Sequence, residues 1–498
     1  MMRPGFDVWV HLGLIESPHQ VNPSILPVSR ILWHHFWHTV LVGLGVDDLF
    51  DRALLIHRTQ ALLTMSLITV GAAFSLSTLV QRNRVSTAEL WVAAMFAAII
   101  WLLMNGTAST ARSGGPDAHF VQSWLIWYSI NYQISLPLYF SSIGALLYCL
   151  SKSADPIRRS TAAIYAVSCI ALATVVHAAE TAYFLVFLGL IALVYLRGRQ
   201  TWLLGGAILL LGGLVLWGAT QQSYAMPAFL KLLIANDWGL MIERIHDFGQ
   251  KLTKKDLNRI ETGWHAMHIG SAGALGLAAT LRWLNSRAET KQNVTDWRPW
   301  MVVSLTALMP LALLSPVTAG GLALITHLQI AWRFAFASLL FIGIPALGLL
   351  ISSNFPSERV LLRQISLLAT MLVFTVGTLV YSYQFERVQP SVQFAGSLIK
   401  SLSRKESYFG LTPLERAHLK RVESMRQTSP HTTPLCTDVF TAYYLFFIEK
   451  FHNVNLPKPL KILPGYRTSD PTCRFDYSPE SLARGKSHSP PQATGKGK

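Results

Sequence analysis

The stretch ALLTMSLITVGAAFSLSTLVQRNRVSTAELWVAAMFAAIIWLLM, residues 61–104, decides the fold. It holds two long apolar runs separated by a short polar link that carries Arg82 and Arg84. About 20 consecutive apolar residues carry a helix across the hydrocarbon of a bilayer. Backbone groups find no water there, so each run must satisfy them within a helix. The two runs therefore read as spans over 60–81 and 88–104, joined by a basic turn. Outward from this pair the same pattern recurs at 130–150, 161–177, 181–196, 203–219, 265–283, 300–315, 328–352 and 363–383. The expected fold is an all-α polytopic membrane protein of about 10–11 transmembrane helices. Composition agrees: 51% of residues are hydrophobic and only 14% charged, where a soluble domain carries about 25% charged residues. The net charge of +16 is then assigned to cytoplasmic loops and lipid headgroups. No basic helix or aromatic-basic platform points to nucleic acid as a partner.

The links alternate in character. One set is short and basic: Arg82 and Arg84; Lys152, Arg158 and Arg159; Arg197 and Arg199; Arg282, Arg287, Lys291 and Arg298; Arg359 and Arg363. The other set comprises residues 105–120, the turn HAAE at 177–180, the long loop 220–264, and SPVTAGG at 315–321. The positive-inside rule makes the first set cytoplasmic and the second external. In a bacterial inner membrane the external side is the periplasm. Residues 1–59 and the region from about 384 onward then also lie outside. Neither a hydrophobic segment nor a signal peptide precedes residues 1–59. Either a helix before residue 1 is missing from the chain, or ILWHHFWHTVLVGLGV (31–46) inserts. Its three histidines favour an interfacial helix.

The external side collects the ionisable residues that lie near apolar segments. In FDVWVHLGLIE (6–16), Asp7 and His11 are four residues apart, sharing one face of a helix, and Glu16 lies a little over one turn further on. The plain alternative is an amphipathic surface helix. His34, His35 and His38 include an i,i+4 pair, but no acid or cysteine sits at ligand spacing, and Trp33 and Trp37 read as interfacial aromatics. Asp47 and Asp48, with Asp51, suit the first turn of a helix. His177 and Glu180 occupy a very tight external turn, where they are candidates for lining a cavity. The loop 220–264, with Arg244, His246, His265 and His268, reads as amphipathic helices on the membrane surface.

The strongest single signal is THLQIAWRFAFASLLFIGIPALGLL (326–350). Arg333 sits in the outer half of this apolar span, after His327 and Gln329. An arginine there costs several kcal/mol unless it is paired or faces water. Its planar fork suits a lipid-linked phosphate; snorkelling or an internal salt bridge is the alternative.

An external acid within FDVWVHLGLIE, many spans of uneven length, the HAAET turn and a late WRFAFASLLF segment together resemble the GT-C superfamily of membrane glycosyltransferases. The resemblance covers roughly residues 5–383. It implies a polyprenyl-phosphate sugar donor, and a glycan, lipid or protein acceptor outside the membrane. It further implies a general base or divalent-metal-binding acid at Asp7 with His11 beside it, and a donor-phosphate contact at Arg333; the chemistry of the transfer adds His327 to Arg333 as the cationic side for the departing phosphate. The family has a transmembrane helix before its first external loop, which this sequence lacks. Asp47 and Asp48 are the second acidic candidates. No Gly-rich phosphate loop supports a nucleotide-sugar or ATP-driven mechanism.

The implied organisation is an external first loop (1–59), a transmembrane domain (60–383), a small periplasmic module (384–478) and a disordered basic tail (479–498). Of the four cysteines, Cys149 and Cys169 lie in apolar runs, whereas Cys436 and Cys473 are placed to pair in an oxidising compartment. Two other readings remain open. One is an O-antigen ligase or polymerase-like enzyme using Arg244 and His246. The other is a transporter or flippase of a lipid-linked saccharide, although no internal repeat is evident.

Overall fold

The computed structural model describes residues 11, 14–15, 18, 28–46, 49–80, 85–105, 130–151, 156–177, 179–195, 206, 228–263, 266–288, 296–308, 315–325, 337–384, 436–437 and 461–462. The described residues are almost entirely helical. In chain order the helices are α1 (Val28–Gly43), α2 (Leu49–Leu79), α3 (Thr87–Asn105), α4 (Ile130–Leu150), α5 (Pro156–Val176), α6 (Ala179–Tyr195) and α7 (Ala228–Ile234). Then come α8 (Trp238–Gly263), α9 (Ala266–Ala288), α10 (Arg298–Leu308), α11 (Pro316–Ile325), α12 (Gly343–Ser352) and α13 (Val360–Gln384). A two-residue parallel pairing, β1 (Cys436–Thr437) with β2 (Lys461–Ile462), is the extended structure among the described residues. Contacts divide the chain into two compact units. One comprises Met1–Gln60, Ile126–Asn131 and Lys400–Lys498; the other comprises Ala61–Leu125 and Tyr132–Ile399.

Five helices are long and apolar enough to cross a membrane, over Thr59–Leu79, Thr87–Met104, Gln133–Leu150, Pro156–Val176 and Val360–Val380. Shorter apolar helices cover Tyr183–Tyr195 and Leu340–Ser352. Among the described residues the chain is thus mostly helical, with the long apolar helices of a membrane protein. The expected span 203–219 lies outside the described residues apart from residue 206, and the basic tail lies outside them altogether.

Local chemistry accounts for the start of α3. Ser86 and Glu89 form a capping box, in which the Glu89 N–H donates to Ser86 Oγ (3.2 Å) and the Ser86 N–H donates to Glu89 Oε2 (2.8 Å). The next sixteen residues are uncharged and continue the helix to Asn105. In α4, Pro137 lies inside the helix and has no N–H to give to the carbonyl four residues back. That carbonyl belongs to Gln133, and the Thr64 hydroxyl of α2 donates to it instead at 2.8 Å. A neighbouring helix thus supplies the bond the proline removes, as it must where no water is available.

Small residues let the helices of the second unit approach closely. A Cβ on Gly144 would run into the carbonyl of Gly71, so α2 and α4 cross backbone to backbone. Gly343 of α12 is pressed in the same way against the Ser271 carbonyl of α9, and Gly270 of α9 against the Thr378 side chain of α13. α8 and α11 interlock through Gly249 against the Pro316 carbonyl and Gly320 against the Ile245 carbonyl.

The helix ends that carry the basic links meet one another. Trp300 Nε1 donates to the Leu79 carbonyl at 3.2 Å, and Asn285 Nδ2 donates to Asn354 Oδ1 at 3.1 Å. The Arg298 guanidinium lies 4.7 Å over the Tyr195 ring. Arg363 Nε and Nη2 donate to Glu89 Oε1 and Oε2 at 2.9 and 2.8 Å. Each contact joins two ends that the alternation of basic links places on one side, so within this unit the charge pattern and the packing agree.

Candidate functional site

Among its described residues, the span expected over 328–352 is not one continuous α-helix. Residues 337–339 are non-helical, Leu340–Ile342 form a 3-10 turn, and α12 begins only at Gly343. Ala337 to Leu350 are buried throughout. Irregular backbone at membrane depth is tolerated only where protein or a cavity satisfies it. Here the Tyr139 hydroxyl donates to the Ala337 carbonyl at 3.2 Å, and the Leu339 N–H donates to Thr306 Oγ1 at 3.2 Å. Phe341 packs edge-on to Phe140 with ring centroids 5.0 Å apart, and Trp101 meets the same Phe140 ring at 6.4 Å. Arg333 and His327 themselves lie outside the described residues, which resume at Ala337, four residues after Arg333 in sequence.

In the other unit, His11 meets the histidine face of α1. His11 Nδ1 and His34 Nε2 are 2.8 Å apart, with ring centroids at 5.0 Å and planes inclined by 19°. His38, one turn on, bonds the Ile15 carbonyl through Nδ1 at 2.8 Å. A carbonyl only accepts, so that nitrogen carries the proton. His34 is buried, and its Nδ1 has no partner. Its pKa is held well below the ordinary histidine value by burial first, then by the charges of His11 and His35. His34 is therefore a neutral imidazole at pH 7 beside His11. Trp33 and Trp37, expected at the interface, are buried in a ring cluster with Phe36. The exposed apolar face of α1 is made instead by Leu32, Phe36 and Val42. At sixteen residues, α1 is shorter than the roughly 20 needed to cross a bilayer.

The remaining candidates fall as follows. Asp7, Asp47, Asp48 and Cys473 lie outside the described residues, and Cys436 lies in β1. His177 is half-buried directly after α5, its N–H bonded to the Ala173 carbonyl at 2.7 Å, and Glu180 falls in the first turn of α6. Arg244 and His246 are exposed on α8, where His246 pairs with Gln250 and Asp247 with Lys251. Among the described residues no three His, Cys, Asp or Glu side chains are grouped to hold a metal ion. The sequence reading missed the interruption at 337–342, the Glu89–Arg363 pair and the His11–His34 contact. None of the three had a local signal; the STAE capping box at 86–89 marks the start of α3 and not the partner of Glu89.

No protein-family model matches the chain, and no curated protein or solved structure matches it either.

Proposed function

We propose that this protein is a membrane glycosyltransferase of GT-C type, moving a sugar from a polyprenyl phosphate onto a glycan, lipid or protein acceptor outside the membrane. The bacterial inner membrane, with the basic helix ends in the cytoplasm and the reaction on the periplasmic side, is part of the proposal. The observation that carries it is the buried, non-α-helical stretch 337–342 ahead of α12, four residues downstream of Arg333 in sequence. Irregular backbone at membrane depth is kept only where protein or a cavity satisfies it, and membrane transporters build their substrate sites from such discontinuous segments. On this reading the Arg333 fork neutralises the phosphate as the glycosidic bond breaks, with His327 beside it. Asp7 accepts the proton of the attacking hydroxyl, and His11 orients the acceptor. His177, Glu180, Asp47 and Asp48 are candidates for the cavity wall. The neutral His34 gives His11 a fixed partner without adding a charge.

Two rivals use the same membrane scaffold. A ligase-like enzyme would depend on Arg244 and His246, and a flippase would move a lipid-linked saccharide without breaking a bond. Reconstituted protein is assayed with a panel of polyprenyl-phosphate sugars, reading release of free polyprenyl phosphate. Release that survives Arg244→Ala supports the proposal. Loss of activity in Arg244→Ala with Asp7→Asn unaffected selects the ligase-like enzyme. Movement of the lipid without release selects the flippase.

A further inference from the structure

A cavity at the basic end of the second unit has no part in the proposed reaction. It encloses about 190 Å³ between α2, α3 and α4, lined by Val70, Phe74, Val80, Leu90, Trp91 and Tyr148 among others. That is roughly a dozen times the space one water needs. From Val70 to Val80 it follows α2 for ten residues, about 15 Å of helix axis. The wall holds few polar groups with bonding capacity to spare. The Ser77 hydroxyl already donates to the Phe74 carbonyl at 2.8 Å, and Ser86 Oγ already accepts the Glu89 N–H. A long, narrow, apolar space running from the end of a span towards its middle has the form of a single acyl chain.

A cation stands at the same end. Tyr148 packs against Ala162 of α5, and Arg159 lies one turn earlier on that helix. Arg159 is near enough to Cys149, the residue after Tyr148, to act on it electrostatically. Its Nε is buried and has no hydrogen-bond acceptor. A buried guanidinium N–H without an acceptor is costly, and a phosphate oxygen is its best complement.

We infer that this cavity binds one anionic glycerophospholipid from the leaflet at the basic end, with an acyl chain along α2 and the phosphate on Arg159. A zwitterionic lipid brings its own ammonium to its phosphate and gains less from the arginine. A soluble apolar molecule has no use for the cation. The inference concerns neither donor nor acceptor, so it stands or falls separately from the glycosyltransferase reading.

The test uses Trp91 as the reporter. The purified full chain in detergent is titrated with phosphatidylglycerol brominated on its acyl chain, and separately with the brominated phosphatidylcholine. The Trp91 contribution is isolated by subtracting the quenching of Trp91→Phe. Saturable quenching is expected with phosphatidylglycerol, half-complete at a mole fraction about fivefold lower than with phosphatidylcholine, the preference one arginine confers near an anionic lipid. Arg159→Gln should remove that preference, Arg159→Lys should keep most of it, and a phenylalanine in place of Ala73, which also lines the cavity, should fill it, so that Ala73→Phe abolishes the saturable component. Equal half-points for the two lipids, or an undiminished preference in Arg159→Gln, would overturn the inference even if Ala73→Phe does not fold. Saturable quenching that persists in a folded Ala73→Phe would overturn the cavity assignment.

Discussion

Removing one partner of the Glu89–Arg363 pair should be among the most damaging single substitutions in the protein. Glu89 is 4% exposed and Arg363 7% exposed, and two hydrogen bonds of 2.9 and 2.8 Å tie them in a bidentate pair. Arg363→Met leaves the Glu89 charge buried without its cation. Breaking a buried pair in this way costs about 3–5 kcal/mol, most of it the penalty on the abandoned charge. Glu89→Gln leaves Arg363 in the same position, yet its amide oxygen still serves the Ser86 capping box, so its loss reports the pair alone. The double variant Glu89→Met/Arg363→Met removes both charges and the capping box. An apolar replacement of a buried pair is often neutral, and a lost cap costs about 1 kcal/mol, so the double variant should lose only roughly 0–2 kcal/mol. Equilibrium unfolding in mixed detergent micelles, with SDS as denaturant, measures all four proteins. If the double variant loses the sum of the single losses, or Arg363→Met loses under 1 kcal/mol, the two groups are not an isolated buried pair.

Thr64→Val should cost about 1–2 kcal/mol, because the Gln133 carbonyl freed by Pro137 loses its donor. In a Pro137→Ala background the same change should be nearly silent by the same unfolding assay, since the helix then supplies the bond itself; equal losses in both backgrounds would refute the compensation. His34 has a folded pKa below its unfolded value of 6.5. The unfolded chain therefore binds the extra proton first, so stability is full above about pH 6.5 and falls as the pH drops below it towards the lowered folded value. Melting of wild type between pH 7.5 and 5 should show that loss and His34→Phe should show less of it, whereas identical pH profiles would remove His34 as the cause. Cys436 and Cys473 should form a disulfide in protein isolated without reductant, closing a loop of about 37 residues and contributing roughly 3–4 kcal/mol; two titratable thiols at these positions would refute it.

What could be read in the sequence follows from the range of the forces involved. The spans at 60–81, 88–104, 130–150, 161–177 and 363–383 each correspond to a helix of spanning length, because apolar length is a local property. The stretch 265–283 does form a helix, Ala266–Ala288. It is not among the five, since His268 and Arg282 lower its hydropathy, and both are buried by neighbouring helices. That 337–342 is not α-helical was invisible because its residues, ASLLFI, are as apolar as those of α12. The groups that satisfy it come from Tyr139 and Thr306, 198 and 33 residues away. The STAE box marks where α3 starts, but nothing local to Glu89 announces an arginine 274 residues on. At the N-terminus the i,i+4 spacing of Asp7 and His11 was legible. The pairing of His11 with His34 depends on how the chain folds back across 23 residues, and pattern alone does not carry that.

The most direct test of the central claim is release of polyprenyl phosphate by reconstituted wild type, Asp7→Asn and Arg333→Lys, measured as kcat/KM for the donor. Loss of the general base should lower turnover by about 10²–10⁴-fold. Arg333→Lys keeps a charge but loses the planar fork that meets two phosphate oxygens, and should lower kcat/KM by roughly 10²-fold, the scale of one preorganised donor at a developing anion. Both variants should retain the wild-type unfolding midpoint. Donor turnover within twofold of wild type in both would contradict the assignment of base and phosphate contact. No release of polyprenyl phosphate from any donor by the wild-type protein would contradict glycosyl transfer itself.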